Sequence, residues 1–127
     1  MHINKLSLSV LQQGLAICKF ESSAPIPEWI NGGFYSVTKT SSELSIVCEE
    51  SRIPKGVDAA KGWRAFKIEA TLDLSLTGIL ESLLHPLAVA EISVFAISTH
   101  DTDYVLVRVE KFDEAMKVLK QFCDVKS

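Results

Sequence analysis

The chain has 127 residues, 47% of them hydrophobic, and a formal net charge of −3. That length and apolar content suffice for a buried core in one compact unit or two very small ones, and they exclude a disordered chain. The basic residues are scattered, so no phosphate-tracking face or polybasic membrane patch is expected, and neither nucleic acid nor a membrane is an expected partner.

No apolar run approaches the ~20 residues of a membrane span, and the opening MHINKLSLSV lacks the regions of a signal peptide, so a cytoplasmic location is expected. Cys18, Cys48 and Cys123 are odd in number and far apart, which points to reduced buried thiols rather than a disulfide framework.

Taken in order, Leu6, Leu8 and Val10 alternate with Ser7 and Ser9, giving a half-buried strand. The Gln12-Gln13-Gly14 turn leads from it into a strand over 15–20, and the two read as a hairpin. Pro25 and Pro27 punctuate the next stretch; Glu28-Trp29-Ile30 can make about one helical turn before Asn31-Gly32-Gly33 ends it. Residues 34–38 and 44–48 form a second hairpin across Thr40-Ser41-Ser42, with Leu44, Ile46 and Cys48 on one face. Residues 52–61, carrying Pro54 and Gly56, are the expected linker, with a short helix over Val57-Asp58-Ala59-Ala60.

From Ala65 the alternation returns, with Phe66, Ile68, Ala70 and Leu72 on one face and Lys67, Glu69 and Thr71 on the other. Beyond Thr77, the residues Gly78, Ile79, Leu80, Leu83, Leu84 and Leu87 mark a helix that Pro86 kinks or ends. Two β-branched runs, 92–98 and 104–109, follow around the polar turn Thr99-His100-Asp101-Thr102-Asp103. Phe112, Ala115, Met116, Leu119 and Phe122 keep helical spacing to the end, with Asp113 and Glu114 in the first turn, where the helix dipole favours negative charge.

The order strand, helix, strand, strand, helix is a ferredoxin-like α+β arrangement lacking a long final strand. The first half reads as a reduced copy of it. The expected architecture is therefore two ferredoxin-like subdomains, antiparallel sheets with helices on one face: residues 1–61 with a stunted helix, and residues 62–127.

The segments Gly78-Ile79-Leu80, Ile92-Ser93-Val94-Phe95 and 97–107 (ISTHDTDYVLV) form a long ungapped match to one pattern. They resemble the ACT-domain family, in particular small tandem ACT proteins, the regulatory ACT domains of aspartate kinases and the ACT-built cytosolic arginine sensors. The resemblance implies a regulatory protein that binds a free amino acid at the junction of two ACT units and acts on a partner enzyme. Carried over by position, it implies ligand contacts at Gly78, Glu81, Ser93, Val94, Thr99 and Asp103. A glycine at a helix mouth lets backbone N–H groups approach a carboxylate, while Glu81, Asp103 and carbonyls near Ser93 and Val94 can receive an ammonium or a cationic side chain. A small zwitterionic or cationic amino acid fits that polarity.

Each residue also has a plainer reading. Gly78 can serve as a turn glycine beside an N-cap at Thr77, Asp101 and Asp103 can fix the hairpin turn, Ser93 can satisfy a carbonyl, and Glu81 can sit in solvent. No Cys, His and carboxylate spacing matches a metal or nucleophile motif, so no catalytic residue, metal or cofactor is expected. The competing function is an oligomerisation or protein-interaction module without a small ligand, and a homodimer is expected under either reading, through a sheet edge.

Overall fold

The computed structural model describes residues 6–69 and 78–126. Ala70, Thr71, Leu72 and the Thr77 cap, all singled out above, lie outside them. Contacts divide the chain into two units, Met1–Gln12 with Arg64–Ser127, and Gln13–Trp63. This corrects the contiguous 1–61 and 62–127 division: the leading strand belongs with the second half of the chain.

In the first unit the strands are β1 (Leu6–Val10), the later residues of β5 (Ala60–Glu69), β6 (Val94–Ser98), β7 (Asp103–Arg108) and β8 (Cys123–Lys126), with helices α1 (Ile79–Val89) and α2 (Phe112–Lys120). From β5 onward the order is βαββαβ, the ferredoxin-like pattern. Leu8 pairs antiparallel with Ile68 on one side and parallel with Val125 on the other, so β1 lies between β5 and β8. β7 pairs with β5 and, antiparallel, with β6.

Two expectations are corrected here. β1 does not form a hairpin with β2 (Leu15–Phe20), because its edges are taken by β5 and β8. The final strand is present, and α2 stops at Lys120 rather than running on, with Gln121 and Phe122 donating backbone bonds to Val118 and Leu119 before β8 begins.

The core of this unit is built from Leu8, Phe66, Leu83, Leu87, Val105 and Leu119, each no more than 1% exposed. Alternation in β1 and β5 and the helical spacing of Leu83, Leu87, Ala115 and Leu119 bring these apolar faces together. Asp113 and Glu114 in the first turn of α2 and Lys117 and Lys120 in its last suit the helix dipole.

Pro86 lies inside α1 and does not end it. Its missing N–H removes the usual i+4 donor for the Ser82 carbonyl, and Ser82 is exposed to water there. The helix ends three residues later in a Schellman motif. The Ile92 N–H donates to the Leu87 carbonyl and the Glu91 N–H to the Ala88 carbonyl, both at 2.9 Å, while Glu91 takes the left-handed conformation at φ 61°. Ile92 and Leu87 are both buried, supplying the apolar contact that usually accompanies this motif.

The second unit pairs β2 antiparallel with β4 (Leu44–Glu49), and β4 with β3 (Tyr35–Lys39). Its core is Cys18, Ile30, Leu44, Ile46 and Cys48, covered by Phe20, Trp29, Val57 and Ala59. The helix in this unit is a single 3₁₀ turn, Glu28–Ile30. The expected helix over 57–60 does not form: Val57 and Ala59 spend their side chains on the core, and Ala60 already starts β5.

The turn after the 3₁₀ segment closes on a buried carboxylate. Glu49, 7% exposed, accepts a 2.8 Å hydrogen bond from the Gly33 N–H. A Cβ on Gly32, whose φ is +148°, would lie 2.9 Å from Glu49 Oε1. Two glycines in succession let the backbone fold onto that side chain.

Cys18 and Cys48 lie on adjacent strands, both buried. Burial, first of all, raises the Cys18 thiol above 9.0 and pushes Cys48 up to about 11, since a thiolate there would be stripped of water. The folded state therefore holds these protons where the unfolded chain releases them. That contribution to stability is complete below pH 9 and is lost as pH rises through about 11. Urea midpoints are expected to fall between pH 9 and 11, and iodoacetamide at pH 8 is expected to label neither thiol until the chain unfolds. Rapid native labelling of both would contradict this account.

Candidate functional site

The residues singled out in the sequence distribute over three places in the first unit. The first is a hollow of about 300 Å³ between Leu80, in the first turn of α1, and residues 98–103 of the β6–β7 turn. Thr99 and Asp103 line it. The two β-branched strands pair in register, Ser98 opposite Asp103, and so hold both turn residues at the same end.

The turn is fixed by threonines. The Thr99 N–H and hydroxyl both donate to the Thr102 carbonyl, at 2.8 and 3.1 Å, and the Thr102 N–H donates back to Thr99 Oγ1 at 3.1 Å. The Thr102 hydroxyl donates to the Ile68 carbonyl, tying the turn to β5. Asp101 faces His100, Nδ1 to Oδ1 at 2.7 Å, with both side chains almost fully exposed. Among the described residues Asp103 makes no side-chain hydrogen bond or ion pair. The turn-fixing role that Asp101 and Asp103 could have had belongs to Thr99 and Thr102, and the part-buried Asp103 carboxylate is left for the hollow.

Gly78 caps α1, two residues ahead of Leu80, with φ +84° and open space where a side chain would stand. The first N–H groups of a helix have no intrahelical acceptor, and no side chain among the described residues caps them here. The positive end of α1 is thus placed beside the hollow.

Glu81 goes elsewhere. It lines a second, more apolar groove of about 430 Å³ between α1 and α2, with Pro86, Val89, Val118 and Phe122 among its neighbours. Ser93 is exposed just before β6, and Val94 opens β6 opposite Val107, at the end of the strand away from Ser98 and the hollow. The chain therefore brings Thr99 and Asp103 to one hollow with Leu80 of the first turn of α1, while Gly78, Glu81, Ser93 and Val94 do not line it.

Leu80 and Ser98 were missed as lining residues. Leu80 was legible only as a helix-face leucine, and Ser98 only as the end of a β-branched run. Neither the α1–α2 groove nor its exposed rim, Val89 at 71% and Phe122 at 52%, carried a local signal. Among the described residues no cluster of three His, Cys, Asp or Glu side chains could hold a metal ion, and no helix is long and apolar enough to cross a membrane.

A βαββαβ unit with two helices, a glycine-capped first helix and a polar turn beside it define a ferredoxin-like α+β protein of the ACT type. A model of the ACT domain matches residues 58–121, half of the chain, and the chain belongs to that family. A separate model of an N-terminal domain matches residues 14–56.

Among solved structures, the Agrobacterium tumefaciens protein Atu0741 is 34% identical, with a TM-score of 0.90 over 97% of this chain and 93% of that one. The regulatory subunit of aspartate kinase from Thermus thermophilus, in its ligand-free form, is 11% identical with a TM-score of 0.61 over 92% of this chain and 96% of that one, a likeness of fold. The human protein CASTOR3P is 30% identical over an alignment of 87 positions that covers 58% of this chain and 53% of that protein. The chain thus spans about half the length of the curated relative it matches.

Proposed function

We propose that this protein is a non-catalytic, cytoplasmic regulatory protein that binds a small zwitterionic or cationic amino acid at a junction between two ACT-type units, and passes the occupancy of that site to a partner enzyme. One observation carries it: the Asp103 carboxylate, which has no side-chain partner among the described residues, shares a hollow of about 300 Å³ with the first turn of α1. Backbone N–H groups there suit a carboxylate, Asp103 and the turn carbonyls suit an ammonium, and the volume lies at the small end of ligand pockets. Charge-assisted hydrogen bonds of roughly 1.5–3 kcal/mol each, less the cost of association, give micromolar to millimolar affinity, the working range of a metabolite sensor.

A thermal-shift panel of the proteinogenic amino acids tests the reading. A ligand at 100 times its dissociation constant is expected to stabilise the fold by about 2.7 kcal/mol, a rise of several degrees. A panel without response favours the second reading, a protein-interaction module. The exposed Val89 and Phe122 on the α1–α2 groove speak for that alternative.

A further inference from the structure

We propose that the groove between α1 and α2 binds an apolar amine, a small molecule with one ammonium group on a hydrocarbon body. The groove is a different place from the hollow at Asp103, so this assignment does not depend on the amino-acid reading above.

The groove has the dimensions of a small-molecule site, about 430 Å³ against the roughly 300–1,000 Å³ of ligand pockets. Its apolar walls are Pro86 and Val89 of α1, Ala90 at the end of that helix, Val118 of α2 and Phe122 just beyond it. Val89 is 71% exposed and Phe122 52%. Large apolar side chains left open to water around one concavity mark a surface that something else covers.

Polarity decides which apolar molecule fits. The polar side chains along the groove are Glu81, Ser82, His85 and Gln121. No lysine or arginine lines it, so with histidine neutral the one formal charge there is the Glu81 carboxylate. Glu81 is exposed, and among the described residues its side chain makes no hydrogen bond or ion pair. His85 lies four residues on, one helical turn along the same side of α1.

Ser82 adds acceptors to that carboxylate. Its hydroxyl donates to the Ile79 carbonyl at 2.6 Å, so the hydroxyl oxygen can still accept but has no second proton to give. Its own carbonyl has lost the usual i+4 donor to Pro86. An ammonium group has three donors and no acceptor, and answers this set. A carboxylate on the ligand would instead meet Glu81 with no cation in the groove to offset it. The groove therefore selects an amine and disfavours an amino acid or a fatty acid, whereas the hollow sets the N–H groups of a helix end where a carboxylate can use them.

The test titrates the full isotope-labelled chain with phenethylammonium, phenethyl alcohol and hydrocinnamate, one skeleton in cationic, neutral and anionic forms, and with hexylammonium as an aliphatic amine. Backbone amide shifts are expected at Glu81, Val89, Val118 and Phe122 and not at residues 99–103. Phenethylammonium is expected to bind about fivefold more tightly than the alcohol, the difference between a charge-assisted and a neutral hydrogen bond, and hydrocinnamate more weakly than either. Glu81→Gln is expected to bring the amine to the level of the alcohol, with the alcohol's affinity and the circular dichroism unchanged. Phe122→Ser is expected to weaken every probe while the preference for the amine persists.

Equal affinity for amine and alcohol, an amine that binds Glu81→Gln as tightly as the parent chain, or shifts confined to residues 99–103 overturns the assignment. So does the absence of groove shifts with either amine at millimolar concentration. Light scattering closes the remaining possibility: a chain at twice its 14.0 kDa mass that Phe122→Ser returns to single mass has its groove covered by a second copy, and the amine is then the wrong occupant.

Discussion

Replacing Phe66 with alanine is expected to lower stability by about 3–5 kcal/mol, the range for removing a buried aromatic ring. Phe66 is fully buried in β5 and stacks on Phe112 with ring centroids 5.3 Å apart and planes 11° from parallel. Phe112 in turn carries the Arg64 guanidinium 4.6 Å above its ring, and Arg64 Nη2 donates to the Leu11 carbonyl at 3.1 Å. Taking out the first ring opens a cavity against Leu8, Leu83 and Val105 and also withdraws the support under this cation-bearing platform. Since whole domains are stable by about 5–15 kcal/mol, such a loss places the first unit near its unfolding threshold. Urea denaturation followed by circular dichroism measures it, with Phe66→Leu as the milder control. A change below about 1 kcal/mol would show that the ring is not part of a close-packed core.

Asp103→Ala is expected to separate binding from folding. Its carboxylate makes no side-chain bond among the described residues, so the unliganded protein should change by no more than about 0.5 kcal/mol, as at an ordinary surface site. The ligand-induced stabilisation of about 2.7 kcal/mol should vanish. Asp103→Asn, which keeps the shape and removes the charge, should weaken a cationic or ammonium-bearing ligand by the roughly 1.5–3 kcal/mol of one charge-assisted hydrogen bond, tenfold or more in dissociation constant. Thr102→Val is the opposite control: it removes the hydroxyl that ties the turn to the Ile68 carbonyl, and should cost stability before it costs binding. If Asp103→Ala responds to ligand like the parent protein, the carboxylate is not a contact and the hollow is not the site.

Local patterns decided much of this fold and little of its pairing. The alternation LSLSV marks β1 from its own residues, yet its two neighbours lie about sixty and more than a hundred residues away, and nothing in five residues encodes which strands those are. The final strand was hidden for a related reason. Phe122 follows Leu119 at helical spacing, and the four residues CDVK offer too little alternation to displace that rhythm. At Pro86 the rule left a kink or an end open, and the end falls further on, where the stop is made by backbone bonds to Leu87 and Ala88 with Glu91 in a conformation that normally selects glycine.

The site divides along the same line. A polar run between two β-branched runs announces a turn, and with it Thr99 and Asp103 at one end of a hairpin. The positions of Ser93 and Val94 depend on which way β6 runs relative to the mouth of α1. That is a property of the connected unit, and it sends them to the end of β6 away from the hollow.

The parallel pairing of β1 with β8 has a consequence for how the molecule is made. Leu8 lies beside Val125, and 117 residues of synthesis separate them. At about 5–20 residues per second the ribosome delivers the second partner roughly 6–23 s after the first. Both flanks of β1 are open until β5 is made and one stays open until β8 follows, while Gln13–Trp63, continuous in sequence, can already have closed on its own core. Translation speed between β5 and β8 thus governs how long the newborn β1 is vulnerable to chaperone capture or to the wrong neighbour.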